Sequence, residues 1–298
     1  LTTLITMYSK KYSISFCIVC MNRLHQLKET LLQNIEDNEG YDNLEFVVLN
    51  YNSEDGMDEW IRNTMSTYIS SGKMKYYHTT EPSVFSHSHS KNLAFRLAGG
   101  EIVCNINADH YTGKEFAEYV NEEFNKNDSI VLTTIDYFRT EKGYSIPHDV
   151  FGKVCVKKQD FLKVQGFDER MTSYGFEDWD FVNRLELSGL KRVVIREPSY
   201  LKFISHEKER YSLEDVSANL QGIYVQHSKP SLSKLLFLYK DETFENGTVI
   251  DNASLGSENY ESAYLERNHR FEYSIQEKQW KQGGWNRKDK ELICHCML

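Results

Sequence analysis

The sequence predicts an α/β fold over residues 1–205, with a mixed, mostly parallel sheet flanked by helices, followed by a mainly helical extension over residues 206–298. Three observations predict it. Apolar strand-like runs alternate with segments of helical period through the first part of the chain, the pattern of βαβ units. The composition, 40% hydrophobic and 27% charged with 4 Pro in 298 residues, is that of a globular chain long enough to bury a proper core. Past about Ser205 the alternation fades into a charged and aromatic stretch with loop signals near Glu245–Ser257.

The elements follow in order. Ser13–Met21 is a β-rich run, and Arg23–Ile35 carries Leu24, Leu27, Leu31 and Ile35 at helical spacing. Leu44–Leu49 is a buried strand that ends in a polar turn, Asn50–Gly56. Met57–Ser70 is helical and Met74–His78 a short strand. Asn92–Ala98 is a helix stopped by Gly99-Gly100, and Glu101–Ile106 is another strand. Ile130–Ile135 and Lys153–Val156 are strands joined by a polar stretch. Lys158–Val164 is a short helix, Asp178–Ser188 an amphipathic one, and Lys191–Ile195 a late strand.

Charge and cysteine usage narrow the function classes. The chain has 35 Lys+Arg against 44 Asp+Glu, a net charge of −9, which argues against a general nucleic-acid binder. No segment reaches the roughly 20 apolar residues needed to span a bilayer. Cys17, Cys20, Cys104 and Cys155 sit in apolar strand-like runs and read as buried free thiols, and Cys294-His295-Cys296 reads as a terminal strand or tail. A soluble, cytoplasmic protein is expected, with peripheral contact to the inner face of a membrane as one role open to the extension; clamping an acceptor and dimerising are the others.

Ligands collect beyond the carboxyl ends of strands in open parallel sheets. Two polar clusters fall at such ends, Asn50–Gly56 and Asn105–His110. A third, Glu177-Asp178-Trp179-Asp180, crowds three carboxylates into the first turn of a helix. Acidic side chains there complement the helix dipole, and their mutual repulsion raises a carboxylate pKa, as a general base requires. Tyr174, Phe176 and Trp179 flank the acids and read equally as core packing or as a sugar-stacking surface. His87 and His89 read as residues of a loop without a nearby acid.

These segments, over roughly residues 12–206, resemble the family 2 glycosyltransferases with the GT-A fold. Ser13–Arg23 looks like that family's first strand. Leu49–Gly56 is similar to its strand-end Asp-x-x-Ser-x-Asp-Gly, and Ser90-Lys91-Asn92 to its Ala-Arg-Asn. Asn107-Ala108-Asp109 falls where the metal-binding Asp-x-Asp stands. Gln165–Glu169 matches Gly-Gly-Phe-Asp-Glu, and Gly175–Asp180 matches Gly-x-Glu-Asp-x-Asp. The last element is also similar to the C-terminal part of the β-1,4-galactosyltransferases. Asn50 and Asn107 depart from the pattern, each standing where the family has an acid.

The resemblance implies an inverting glycosyltransferase that moves a sugar from a nucleoside-diphosphate sugar, a UDP-sugar above all, to a hydroxyl of a glycan, glycolipid or other acceptor in polysaccharide or glycoconjugate synthesis. It implies Asp178 as the catalytic base, with Glu177 and Asp180 orienting the acceptor or the helix start. Asn50, Asn52 and Asp55 are implied around uracil and ribose, Lys91 near the base or diphosphate, and Asn107 on ribose or a metal-bound water. Asp109 and His206 are implied as ligands of Mn²⁺ or Mg²⁺, and a histidine ligand favours Mn²⁺. The alternatives are a nucleotidyltransferase and a non-catalytic nucleotide-sugar binder. Against the former, the turn Met21-Asn22-Arg23 lacks the glycine-rich loop that would cradle phosphates.

Overall fold

The computed structural model describes residues 10–80, 84–135, 152–164, 166–167 and 177–205, and three short strands beyond them. Seven strands form one sheet: Ile14–Cys20 (β1), Leu44–Tyr51 (β2), Met74–Thr79 (β3), Ile102–Asn105 (β4), Ile130–Thr133 (β5), Val154–Lys157 (β6) and Lys191–Val194 (β7). Their order is β3-β2-β1-β4-β6-β5-β7. β1 to β4 pair in parallel, as does β5 with β7, while β6 runs antiparallel between β4 and β5. Both faces are covered, so β1 and β2 are buried almost throughout.

Helices Leu24–Asp37 (α1), Met57–Thr64 (α2) and Phe116–Lys126 (α5) share a core with alternate strand residues, among them Ile14, Phe16, Ile18, Phe46 and Val48. Helix His87–Leu97 (α4) packs on the face that carries Cys17, whose thiol lies 3.7 Å from the Ala94 carbonyl oxygen. Phe95 of α4 there meets Phe161 of Lys158–Lys163 (α6) and Phe167, and both touch Phe181 of Glu177–Leu187 (α7), with ring centroids 4.2–6.0 Å apart. Cys17, Cys20, Cys104 and Cys155 are buried and free, as expected.

Three differences from the expected elements have physical causes. α4 starts at His87, five residues before the expected start, because Ser86 caps it: the Ser86 hydroxyl accepts from the His89 N–H at 3.4 Å. Its polar first turn, Ser88 to Asn92, is buried, so apolar periodicity gave no sign of it. The segment Met57–Ser70 divides at Met65 into α2 and Ser66–Ser70 (α3). α5 was absent from the expected elements although Phe116, Ala117, Val120 and Phe124 form a buried helical stripe.

Among the described residues of 206–298, strands at 271–274 and 279–282 correct the helical expectation at those positions, while His295–Cys296 is strand, one of the two readings given for Cys294-His295-Cys296. Phe271–Ser274 (β8) pairs with Gln279–Gln282 (β9), and His295–Cys296 (β10) adds antiparallel to β3. The remainder of the extension lies outside the described residues.

Candidate active site

The polar clusters after β1, β2 and β4 meet at one edge of the sheet, together with the start of α7. The turns after β1 and β2 are laced to each other. Asn22 and Asn52 take left-handed backbone angles (φ 55° and 63°), which their short side chains tolerate. The Asn22 N–H donates to Ser53 Oγ (3.0 Å), and the Glu54 N–H donates to Asn22 Oδ1 (2.8 Å). Asp55 Oδ2 accepts the Leu24 N–H at 2.8 Å, so Asp55 satisfies the open end of α1 across the gap. Asn50 is fully buried: its Oδ1 accepts from the Ser53 N–H (2.7 Å) and its Nδ2 donates to Asp58 Oδ1 (2.9 Å). Tyr76 and His78 also converge on Asp58, His78 Nδ1 lying 3.0 Å from Oδ2.

The turn that carries Asn107 and Asp109 is fixed from below by a buried polar stripe on α1. Thr30 Oγ1 donates to the Ala108 carbonyl oxygen (2.6 Å), and Asn34 Nδ2 to that of His110 (2.9 Å). The Thr112 N–H donates to Asn34 Oδ1 (2.7 Å), and the Ala117 N–H to Asn38 Oδ1 (2.8 Å). Thr30, Asn34 and Asn38 recur every four residues beside the apolar face, a spacing that puts them on one side of α1. That stripe was legible in the sequence but masked by the leucine period next to it.

The same turn is closed from above by the segment that follows β7. The 3₁₀ turn Pro198–Tyr200 leads into a short antiparallel run on residues 109–113: His110 bridges Phe203, the Tyr111 N–H donates to the Lys202 carbonyl oxygen (3.1 Å), and the Ile204 N–H to that of Asp109 (2.9 Å). Lys153 lies between them, fully buried. Its ammonium donates to the carbonyl oxygens of Tyr111 (2.9 Å) and Tyr200 (2.5 Å) and sits 5.3 Å from the Phe116 ring centroid. Burial pushes the Lys153 ammonium down to about 7, against the opposing pull of Cys155 and Asp109.

Gly152 joins this turn to the acids of α7. Its φ of +101° suits glycine, and a methyl group placed on it would stand 3.3 Å from Asn107 Nδ2 and 3.4 Å from Asp178 Oδ2. Asn107 and Asp178 therefore face one small space that a side chain at 152 would fill. Asn105 Nδ2 helps shape it, donating to Asn107 Oδ1 (2.9 Å) and to the Gly152 carbonyl oxygen (2.7 Å).

The three carboxylates of α7 are buried but differently engaged. Glu177 Oε1 accepts from the Lys91 ammonium at 2.5 Å, with His87 Nδ1 at 3.8 Å, and Glu177 Oε2 has no hydrogen-bond partner among the described residues. Burial, the strongest single influence, would raise the Glu177 carboxyl, but the charge and hydrogen bond of Lys91, with smaller help from His87 and a backbone N–H, together outweigh it and hold the carboxyl below its usual range. Burial opposes the charge on Lys91 in turn, and Glu177 and Asp178 together keep its pKa above the ordinary value. Burial pushes His87 down to about 4, so it is neutral at pH 7. Asp180 instead pairs with Arg184 one turn on: Asp180 Oδ2 lies 2.9 Å from Nε and 2.8 Å from Nη2, both side chains fully buried, while Arg184 Nη1 donates to the Val164 carbonyl oxygen (2.7 Å).

The expected site residues thus separate into groups. Asn107, Asp109, Glu177, Asp178 and Lys91 are brought to one region; Asn50, Asn52 and Asp55 form the adjoining rim; Asp180 points into the α7 packing. His87 and His89 correct their expected placement in a loop without a nearby acid. Both lie in the first turn of α4, His87 toward Glu177 and His89 with its Nδ1 2.5 Å from the Tyr51 hydroxyl. Asn92, expected only to begin a helix, holds the next element: its Nδ2 donates to the Phe167 carbonyl oxygen and its Oδ1 accepts the Phe167 N–H. His206, Asp168, Glu169, Tyr174, Gly175, Phe176 and the side chain of Trp179 lie outside the described residues. Gly152, Lys153, Asn34 and Asn38 escaped the reading of the sequence because each acts through backbone groups distant in the chain.

Solved structures share this architecture. The chain is similar to the mannosyltransferase PcManGT from Pyrobaculum calidifontis, solved in complex with GDP-Man and Mn²⁺ (TM-score 0.58, 17% identity, 87% of this chain and 76% of that one). It is similar to S. aureus TarS 1–349 in complex with UDP-GlcNAc (TM-score 0.60, 16% identity, 86% and 80%). It also matches GalNAc-T7 with UDP, GalNAc and Mn²⁺ (TM-score 0.54, 12% identity, 72% and 48%). No curated protein sequence matches the chain. At these identities the neighbours establish the fold, the GT-A type. The family model Glycosyl transferase family 2 matches residues 15–182, more than half of the chain and all of the strand-end clusters described above, and the chain therefore belongs to glycosyl transferase family 2.

Proposed function

We propose that this glycosyltransferase transfers a sugar from a UDP-sugar to an acceptor hydroxyl with inversion, using Asp178 as general base. The observation that carries the reading is the position of Asp178: buried at the start of α7, its Oδ2 faces the space at Gly152 that Asn107 also borders, next to the Asp109 turn. In the reaction, the acceptor oxygen attacks the anomeric carbon from the face opposite the diphosphate. Its proton passes to Asp178, the new C–O bond forms, and the bond between the anomeric carbon and the phosphate oxygen breaks with its electron pair leaving on UDP. Lys91 serves this chemistry by holding Glu177 as a carboxylate, and Glu177 Oε2 is placed to accept a hydrogen bond from an acceptor hydroxyl. Asn50, Asn52 and Asp55 frame the nucleotide side, with Asn50 holding its own turn through Ser53 and Asp58 and Asp55 tying that turn to the start of α1.

The donor set bears on the metal. Among the described residues no three His, Cys, Asp or Glu side chains converge to hold an ion. Asp109, its side chain 17% exposed, offers a hard oxygen at the rim. A divalent cation, Mn²⁺ in preference to Mg²⁺, would be held by Asp109 and His206 together with the donor, since the described side chains alone build no cage for one. The pairing of Ile204 with Asp109, two positions before His206, supports that set. When bound, such a cation offsets the charge that develops on the leaving diphosphate.

No helix among the described residues is long and apolar enough to cross a membrane. The resemblance of the family supports a glycan, glycolipid or other hydroxyl acceptor and a setting in polysaccharide or glycoconjugate assembly. The deciding experiment is Asp178→Asn. Loss of transfer with UDP binding retained is expected; full turnover by that variant would remove Asp178 as the base.

A further inference from the structure

We propose that Lys153 is a positioning residue for the donor diphosphate side of the site: a buried cation that staples the segment after β7 onto the Asp109 turn, and so sets where Asp109 stands relative to the donor. The inference rests on the reading of Asp109 as the residue that meets the cation and diphosphate. Its own ground is geometric. The two backbone segments that Lys153 joins come from distant parts of the chain, residues 109–113 after β4 and residues 198–204 after β7. Each contributes one carbonyl oxygen, that of Tyr111 and that of Tyr200, to the same ammonium.

The join has a second, independent support in Gly113. Its φ is +80°, and a methyl group there would lie 2.5 Å from the Ser199 carbonyl oxygen and 3.0 Å from Tyr200 Cδ1. The docked segment therefore lies so close on the turn that only glycine fits beneath it. The antiparallel hydrogen bonds of Tyr111 and Ile204 continue the contact up to Asp109 itself. With the α1 ladder of Thr30 and Asn34 gripping the turn from the other side, its carbonyl groups are engaged on both flanks and Asp109 is left at the rim. Removing an amino group that is buried against two carbonyl oxygens leaves both carbonyls without that donor, which is costly inside a protein.

The two substitutions that undo the join do so by different routes. Lys153→Met removes the donors while keeping a chain of similar length. Gly113→Ala pushes the segment away and leaves Lys153 untouched. In the unliganded full chain, both are expected to lose hydrogen-exchange protection at the Tyr111 and Ile204 amides while β1, β2 and β4 stay protected. Both are expected to weaken UDP binding in the presence of Mn²⁺ by about tenfold or more, with UDP binding in EDTA changed little. A general loss of packing would lower both affinities together. Unchanged amide protection in both variants refutes the staple. Lost protection with wild-type UDP affinity in Mn²⁺ refutes the positioning role while leaving the family assignment intact. If the unsubstituted protein binds no UDP in either condition, the donor reading falls, and the positioning role with it, whatever the amides do.

Discussion

Replacing Lys91 by methionine is expected to cost about 3–5 kcal/mol, a large share of the about 5–15 kcal/mol that holds a typical domain folded. The size follows from the surroundings of the pair. The side chains of Lys91 and Glu177 are 7% and 4% exposed, and the charged atoms are 2.5 Å apart. His87, the next basic group at 3.8 Å, is neutral at pH 7 because burial pushes it down to about 4. Without Lys91 the Glu177 carboxylate is thus a buried charge with no other ion pair to a charged cation among the described residues. Urea unfolding at pH 7 measures the loss, and a cycle through Glu177→Gln and the double variant separates the pair from its desolvation. The double variant is expected to recover most of the stability, since a neutral pair of similar volume carries a much smaller desolvation penalty than an unpaired charge. The pH dependence carries a sign. In the native pair Glu177 is depressed, so its contribution is present above its unfolded pKa and lost as pH falls through the folded value. Lys91 is raised, so its contribution is present below the unfolded value and lost as pH rises through the folded one. In Lys91→Met the main group that holds Glu177 down is gone and burial raises its pKa, so that variant gains stability relative to the parent as pH falls below 7. A cost under about 1 kcal/mol, the range of an exposed pair, or additive effects in the double variant, would refute the reasoning.

Other outcomes follow from the same structure. Gly152→Ala, strained at φ +101° and crowding Asn107 and Asp178, is expected to cost about 1–3 kcal/mol in stability and to reduce turnover by up to about a hundredfold through displacement of Asp178; steady-state kinetics with unchanged turnover would contradict the placement of the reaction there. Arg184→Met removes the guanidinium that pairs with the buried Asp180 carboxylate and is expected to cost about 3–5 kcal/mol in urea unfolding while the remaining folded protein binds UDP normally; a selective loss of UDP binding would instead put Asp180 in the site. Because His87 stays neutral when folded down to about pH 4 but takes up a proton near its ordinary value of 6.5 when unfolded, its contribution to stability falls as pH drops from about 6.5 to about 4; His87→Gln flattens that slope in pH-resolved unfolding. Addition of EDTA is expected to abolish transfer and Mn²⁺ to restore it, and activity that persists in chelator removes Asp109 and His206 as cation ligands.

The strand-end clusters were legible because the chemistry there is local. Asn50–Gly56, Asn105–His110 and Glu177–Asp180 each close a strand or open a helix, and sequence order alone assigns them to the edge where parallel strands present ligands. What each residue does within the cluster was not legible. Asp55 and Asp180 have the same carboxylate as Asp109 and Asp178, yet Asp55 receives the Leu24 N–H and Asp180 the Arg184 guanidinium. The start of α4 stayed hidden for a related reason: its first turn is polar and buried, so its period is not hydrophobic. α5 was a different kind of miss, since its apolar stripe was present in the sequence.

By itself the sequence determined the α/β alternation, the buried thiols, the order of the motifs and the acids available for catalysis, because hydrophobic period and helix-start chemistry are set by residues within a few positions of one another. Only the tertiary structure decided what each acid meets. That choice depends on Lys91 meeting Glu177, on Gly152 lying against Asn107 and Asp178, and on Lys153 joining the turn after β4 to the segment after β7. Each is a contact between parts of the chain far apart in sequence, fixed by the packing of the sheet and helices and carrying no local periodicity from which it could be read.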